Sequence, residues 1–304
     1  MTRAARQSFL GEDSERKFAA LTVGLVGLGG GNSHVVQQLS HVGVGGLVCV
    51  DFDIVEDSNL NRLIGGTTAD LKHETLKTAV AERIIRGLVA NPRCVFRPVK
   101  WQEAMADLAR CDIIVGGLDS YRERSALEDF CRRLLIPYID MGMDVHELED
   151  EFAIGGQTVL SMPGQPCLWC MGILSDERLA EEARNYGAAG GKPQVVWPNG
   201  VLASLAVGLI VQLVSPWMRV PMTSAYLEFD GNRHQVATSN RLKAIAGRPC
   251  SHYLASDVGD PLLDIRKIPQ SANDDDLPAE STNPSVKRSA FWLRLWKQIR
   301  RRLA

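Results

Sequence analysis

The 304-residue chain lacks a long hydrophobic run. Its most apolar segment, "VLASLAVGLIVQLV" from Val201 to Val214, is interrupted by Gln212 and falls short of the roughly 18 residues of a membrane span, so it reads as a buried helix. The N-terminus, "MTRAARQSFLGEDSERK", lacks the apolar core of a signal peptide, which makes a cytoplasmic location the default expectation. Neither sign of charge is in excess: 34 basic residues stand against 36 acidic ones, a formal net charge of −2. Neutralising phosphates needs a basic excess, so the chain as a whole does not read as a nucleic-acid binder. A disulfide framework is also missing. The seven cysteines are an odd number, and Cys49, Cys94, Cys111 and Cys131 sit singly in apolar patterns, where a thiol behaves as a small buried hydrophobe. That usage suits a reducing compartment. No internal repeat is present.

What is there is an alternation. "LTVGLVG" and "GGLVCVDFD" are short apolar runs flanking a helical stretch from Ser33 to Val42. "TLKTAVAERIIRGL" has helical periodicity, "CVFRPVK" reads as a strand, "WQEAMADLAR" as a helix and "CDIIVGGLD" as a buried strand. "RSALEDFCRRLL" is helical and "IPYIDMGMD" a strand, with His146 just past its end. Such βαβ order predicts an α/β fold: a Rossmann-like, mostly parallel sheet with helices on both faces, binding ligands at the carboxyl ends of its strands. The second half, with "EFAIGGQTVLSM" and a hairpin "SAYLEFDGNRHQVATS" around Asp230 and Gly231, predicts antiparallel strands added to that core.

The turn "GLGGGNS", Gly27 to Ser33, joins the first strand to the first long helix. Glycines there let a backbone approach a nucleotide phosphate, because the free N–H groups of the first helical turn point at the anion. The dinucleotide fingerprint is only partly met: Gly27 and Gly29 match, but Asn32 stands at the third position, where asparagine's tolerance of left-handed backbone would let the loop form. Asp51 could hold a ribose hydroxyl of either NAD or ATP. The segment "VDFDIVEDSNLNRLIG" then places Asp51, Asp53, Asn59 and Arg62 together after a strand. Hydride transfer has no use for an asparagine and an arginine here, whereas nucleotidyl transfer does, because charge builds on the departing pyrophosphate.

Taken in order, "GLGGGNS", "VDFDIVEDSNLNR", "GGLDSYRER" and "PCLWC" resemble the ThiF/MoeB/HesA family, relatives of ubiquitin-activating enzymes, from about Arg3 to Gly231. The resemblance implies ATP-dependent adenylation of the C-terminal carboxylate of a small ubiquitin-like or sulfur-carrier protein. By that likeness Gly27, Gly29 and Gly30 admit the ATP, Asp51 takes the ribose, Asp53 lies in the same nucleotide site, and Asn59 and Arg62 contact the phosphates. The family lysine falls at Lys77, slightly farther along than in shorter members, with Lys72 as the alternative. Asp119 matches the aspartate that binds Mg²⁺, a hard cation suited to carboxylate and phosphate oxygens. Arg6 resembles the N-terminal arginine that reaches into the partner subunit's site, which implies a homodimer. Adenylation of a short peptide, a nucleotide-binding scaffold without turnover and, last, a dehydrogenase are the competing expectations.

Cys167 and Cys170 in "PCLWC" have the two-residue gap of a zinc knuckle. Family members commonly supply a second pair near the end of the domain; here that region reads "GRPCSHY", and Cys250 with His252 would complete a Cys₃His set for Zn²⁺. Some relatives form a thioester or persulfide through a cysteine after the knuckle, but Met171 to Val201 contains none. The glycine-rich loop Gly187 to Gly191 could close over a carrier's extended terminus, and His146 could approach it. The expected organisation is an adenylation domain over 1–258, with a nucleotide-binding half at about 20–145 and a carrier-binding half at about 146–258. A linker of disordered composition follows at 259–288, and then a basic amphipathic helix at 289–304. That helix, with Trp292, Leu295, Trp296, Ile299 and Leu303 on one side, could dock on its own domain or dimer mate, on a partner, or on an anionic membrane.

Overall fold

The computed structural model describes residues 5–184, 193–219, 222–248, 250–253 and 259. After a 3-10 turn at Ala5–Leu10 come α1 (Ser14–Ala20), β1 (Thr22–Val26), α2 (Gly30–Val42), β2 (Gly46–Val50), α3 (Thr68–Lys72) and α4 (Lys77–Leu88). They are followed by β3 (Arg93–Arg97), α5 (Met105–Leu108), β4 (Ile113–Gly116), α6 (Tyr121–Arg133) and β5 (Tyr138–Glu147). The chain continues through β6 (Phe152–Ser161), α7 (Asp176–Arg184), α8 (Val196–Val214), β7 (Ala225–Asp230), β8 (Gln235–Thr238) and α9 (Asn240–Ala244). The glycine-rich loop at 187–191, the expected linker beyond Gly259 and the basic helix lie outside the described residues.

The strands form one sheet in the order β3-β2-β1-β4-β5-β6-β7-β8. The first five pair in parallel and the last three are added antiparallel, as the sequence pattern predicts. Val23 and Leu25 enter one layer with Val35, Leu39 and Ile85. Val26 and Ile114 enter the opposite layer with Leu108 and Leu127. Because both faces are covered, these strands are apolar throughout rather than alternating. The order also sets the site: the chain runs from β1 outward through β2 to β3, then crosses back to β4 on the other side of β1, and a crevice opens at the strand ends where the direction reverses.

The apolar segment expected as a buried helix starts earlier than its apolar run, at Val196. Pro198 is accommodated in the first turn, where a missing N–H costs nothing. By length and composition α8 could cross a membrane, yet 56% of its apolar window is buried inside the protein, with Ala203, Ala206, Val207 and Ile210 in the layer beside α2.

Three local expectations change. "WQEAMADLAR" is not one helix but a 3-10 turn, Trp101–Ala104, leading into the short α5. The tighter turn brings Trp101 and Ala104 into register, and both are buried. His146 lies on β5 rather than past it, because β5 and β6 pair as far as Glu147 and Phe152.

Asn32 is helical, within α2, so left-handed tolerance is not its role. It is fully buried, and its Nδ2 donates to the carbonyls of Val26 at 3.1 Å, Gly27 at 2.8 Å and Val115 at 3.4 Å. A side-chain amide therefore ties the ends of β1 and β4 together. Asn32→Ala strips that donor from buried carbonyls and is expected to cost about 1–3 kcal/mol, read as a lowered urea midpoint; an unchanged midpoint would refute the strut.

Candidate active site

The turn after β1 is shaped by its neighbours. Gly27 has φ of +76°, and a Cβ there would lie 2.6 Å from the Gly117 carbonyl oxygen at the end of β4. A Cβ on Gly30 would meet Asn199 Nδ2 at 2.6 Å and the Arg62 stem at 3.2 Å, while at Gly29 nothing lies within 4 Å. Gly27→Ala is thus both strained and obstructed. It is expected to lower the melting temperature and weaken ATP binding together, whereas Gly29→Ala leaves the melting temperature in place; equal melting of Gly27→Ala and the parent protein would contradict the geometry.

Asp51 follows β2, buried and oriented by two backbone donors: Leu28 N reaches Oδ2 at 2.6 Å and Asp53 N reaches Oδ1 at 2.8 Å. Burial raises its pKa, against the opposing pull of Lys77 and those two N–H groups. Asp53 pairs with Lys77 Nζ at 2.7 Å, which fixes the ammonium at the start of α4. Asn59 ends a 3-10 turn, where its Oδ1 accepts from Glu56 N at 3.1 Å. Arg62, in the turn that follows, donates from Nη1 to Ser58 O at 2.5 Å and Asn61 Oδ1 at 3.0 Å. Asp119 follows β4, just ahead of Ser120, whose hydroxyl caps α6 by accepting from Glu123 N.

These residues meet. Gly27, Gly29, Gly30, Asp51, Asp53, Asn59, Arg62, Lys77 and Asp119 all line one cavity. Its remaining walls include Val26, Val50, Val99, Trp101 and Leu118 on the apolar side. Glycine N–H groups at a helix start, two cations and an exposed carboxylate beside them suit a nucleotide triphosphate with a divalent ion. Lys72, exposed at the end of α3, does not line this cavity, and Lys77 does. Arg6, exposed on its 3-10 turn, does not line the cleft of its own chain.

A second, roomier groove of ≈ 610 Å³ adjoins the first and shares Asp119, Arg124, Gly142, Met143 and Gln194 with it. It runs over β5, β6 and the β7–β8 hairpin, and His146 lines it, its Nε2 lying 3.4 Å from Asp144 Oδ2. Among the described residues no cysteine lines either cavity.

Away from the cleft, Cys167, Cys170, Cys250 and His252 converge, their ligand atoms all within 4.8 Å of one another. Cys167 and Cys170 sulfurs are 3.6 Å apart and Cys170 and Cys250 3.7 Å apart; His252 Nδ1 is 3.5 Å from Cys167 and 3.3 Å from Cys170. A tetrahedral Zn²⁺ with bonds of about 2.3 Å to sulfur and about 2.0 Å to nitrogen needs edges of about 3.5–3.8 Å, so the donor set fits that ion. The knuckle is anchored by buried charge: Glu128 accepts from Leu168 N at 3.0 Å and from the Ser161 hydroxyl, while Arg132 donates to Gln165 O at 2.9 Å and Pro166 O at 3.0 Å. Burial raises the Glu128 pKa to about 6.

The sequence pattern of the ThiF family matches residues 1–249. The chain belongs to this family. It is 32% identical to the SAMP-activating enzyme E1 of Haloferax volcanii over 169 residues, 53% of this chain and 57% of that protein. It is 30% identical to the sulfur carrier protein ThiS adenylyltransferase of Escherichia coli over 224 residues, 70% of this chain and 83% of that one. With ubiquitin-like modifier-activating enzyme 5 of Arabidopsis thaliana the match spans only 39% of the relative, so the chain corresponds to about half of some of these proteins. Among solved structures, Escherichia coli MccB with ATP shares the fold at a TM-score of 0.63 and 18% identity, covering 79% of this chain and 72% of that one.

Within this ThiF-family cleft several lining residues have no role in the sequence analysis: Trp101, Arg124, Gln194 and Asn199. Gln194 bridges the opening, its carbonyl accepting from Asn61 Nδ2 at 2.9 Å and its Nε2 donating to Asp119 Oδ1 at 3.3 Å. Arg124 ends the run "GGLDSYRER", and Gln194 and Asn199 lie in "GAAGGKPQVVWPNG", a distinctive stretch whose residues had no assigned role. The buried Glu128 and Arg132 were hidden in a helix that reads as polar.

Proposed function

We propose that this protein adenylates the C-terminal carboxylate of a ubiquitin-like or sulfur-carrier protein, consuming Mg²⁺–ATP and releasing pyrophosphate. The observation that carries this is the convergence of Asp51, Asn59, Arg62, Lys77 and Asp119 on one cleft that adjoins a groove of ≈ 610 Å³. In this reading the glycine turn and the start of α2 receive the phosphates, and Asp51 takes the ribose hydroxyls. The apolar wall at Val50, Val99 and Trp101 holds the base. Arg62 and Lys77 offset the charge that develops on the leaving pyrophosphate, and Asp119 holds Mg²⁺, which screens the phosphates. Arg6 acts in the cleft of a second copy in a homodimer. Zn²⁺ at the Cys₃His cluster pins the second half of the domain and takes no part in the reaction. With no cysteine lining either cavity among the described residues, the acyl adenylate passes to another nucleophile without a thioester on this chain.

The test is exchange of labelled pyrophosphate into ATP, with candidate carriers ending in glycine and, in parallel, short peptides. Exchange that depends on a carrier supports the proposal. Exchange with peptides alone transfers it to peptide adenylation, and ATP binding without exchange for any acyl substrate would leave a nucleotide-binding scaffold.

A further inference from the structure

Arg124 stands where the nucleotide cleft and the groove meet, lining both, although the residue is only 7% exposed. Its Nε donates to Leu118 O at 2.8 Å and its Nη2 to Met141 O at 3.3 Å, and the guanidinium lies 5.5 Å from the Tyr121 ring centroid. An arginine has five N–H donors in a planar fork, so these bonds orient the group without exhausting it. The carboxylate behind it is a loose partner. Asp140 Oδ2 comes only to 3.6 Å of Nη1 and is buried with no hydrogen bond, while Tyr138 donates to the other oxygen at 3.0 Å. Enclosing a cation with so incomplete a partner is costly, and such groups gather at functional sites.

Asp119 shares the junction with it, a bound triphosphate would add more negative charge, and the groove's other arginines, Arg178 and Arg233, line the groove without lining the nucleotide cleft. A substrate carboxylate arriving from the groove therefore needs a cation at the junction. We infer that Arg124 receives the carboxylate of the acyl substrate there and aligns it on the α-phosphate of ATP, its fork matching the two carboxylate oxygens. The inference rests on the adenylation reading. In the step it serves, a carboxylate oxygen forms a bond to the α-phosphorus and the bond from that phosphorus to the bridging oxygen breaks. Pyrophosphate departs with the electron pair, and no proton leaves the carboxylate. Asp140 and Tyr138 act as positioning residues behind the guanidinium.

The test uses the full chain with a non-hydrolysable ATP analogue and a synthetic peptide ending in Gly-Gly, made as the free acid and as the C-terminal amide. Titration calorimetry is expected to show the acid bound at least about tenfold more tightly than the amide by the parent protein. That preference should shrink in Arg124→Lys and vanish in Arg124→Gln. The glutamine variant is expected to melt at a lower temperature, because Asp140 loses its buried cation, so both variants are compared at a temperature where they are folded and saturated with the analogue. A merely structural arginine would not move the acid-to-amide ratio. An unchanged ratio in folded, ATP-binding Arg124→Gln, or in Arg124→Lys should the glutamine variant not fold, overturns the assignment, as does the absence of any preference in the parent protein. Pyrophosphate exchange separates the levels: exchange without acid preference defeats Arg124 alone, whereas no exchange with any acyl substrate defeats the adenylation reading.

Discussion

Arg62→Ala and Asp119→Ala should each lower carrier-dependent pyrophosphate exchange by about 10²–10³-fold, the loss typical of removing one preorganised charge partner from a reacting centre. Both substitutions are mild for the fold. Arg62 donates within its own loop, to Ser58 and Asn61, and Asp119 is exposed and accepts a hydrogen bond from Gln194. The melting temperature is therefore expected to stay within a few degrees of the parent value. The two variants should separate in a metal titration: raising Mg²⁺ partly restores Asp119→Ala, whose defect is in holding the ion, and does nothing for Arg62→Ala. Normal exchange in either folded variant would remove that residue from the reaction. Normal exchange in both would mean that the cleft is not where the chemistry occurs.

Removing the metal from the Cys₃His cluster should have the largest effect on stability. Cys170 and Cys250 are 80 residues apart in the chain, and an ion joining them closes that loop in the unfolded state as a covalent link would. Loop-closure entropy alone then amounts to about 4 kcal/mol, which for a domain of this size corresponds to about 10 °C in melting temperature. Elemental analysis is expected to find one zinc per chain, reduced in Cys250→Ser. Chelator treatment should lower the melting temperature by that amount, with zinc restoring it. Protein purified without zinc, and melting unchanged by a chelator, would mean that the four side chains are no more than a packed cluster.

Much of this was legible before the fold was known. Asp51 and Asp119 each end an apolar run, and a charge placed there marks the carboxyl end of a buried strand, where a parallel sheet binds its ligands. The Cys167–Cys170 spacing is local geometry, and "PCSHY" supplies the remaining donors in a short stretch. Gly27 announces itself because only a turn needs such a residue between a strand and a helix. Other features gave no such signal. Asn32 is a departure from the fingerprint whose purpose depends on Val115, a residue of another strand. Gln194 matters because it spans from Asn61 to Asp119, and a glutamine in a loop has no pattern to mark it.

The order of the elements, the strand ends that carry acids and the residue types available for a triphosphate and a metal can all be read along the chain, because hydrophobic periodicity and short spacings act over one or two turns. Only the tertiary structure decided that Arg124, Asp140 and Tyr138 would share a buried corner between two cavities, and that α8 would bring Asn199 against Gly30. The physical reason is that such meetings follow from which strands lie side by side. That choice is made by burying both faces of the whole sheet at once, and no local stretch of the chain encodes it.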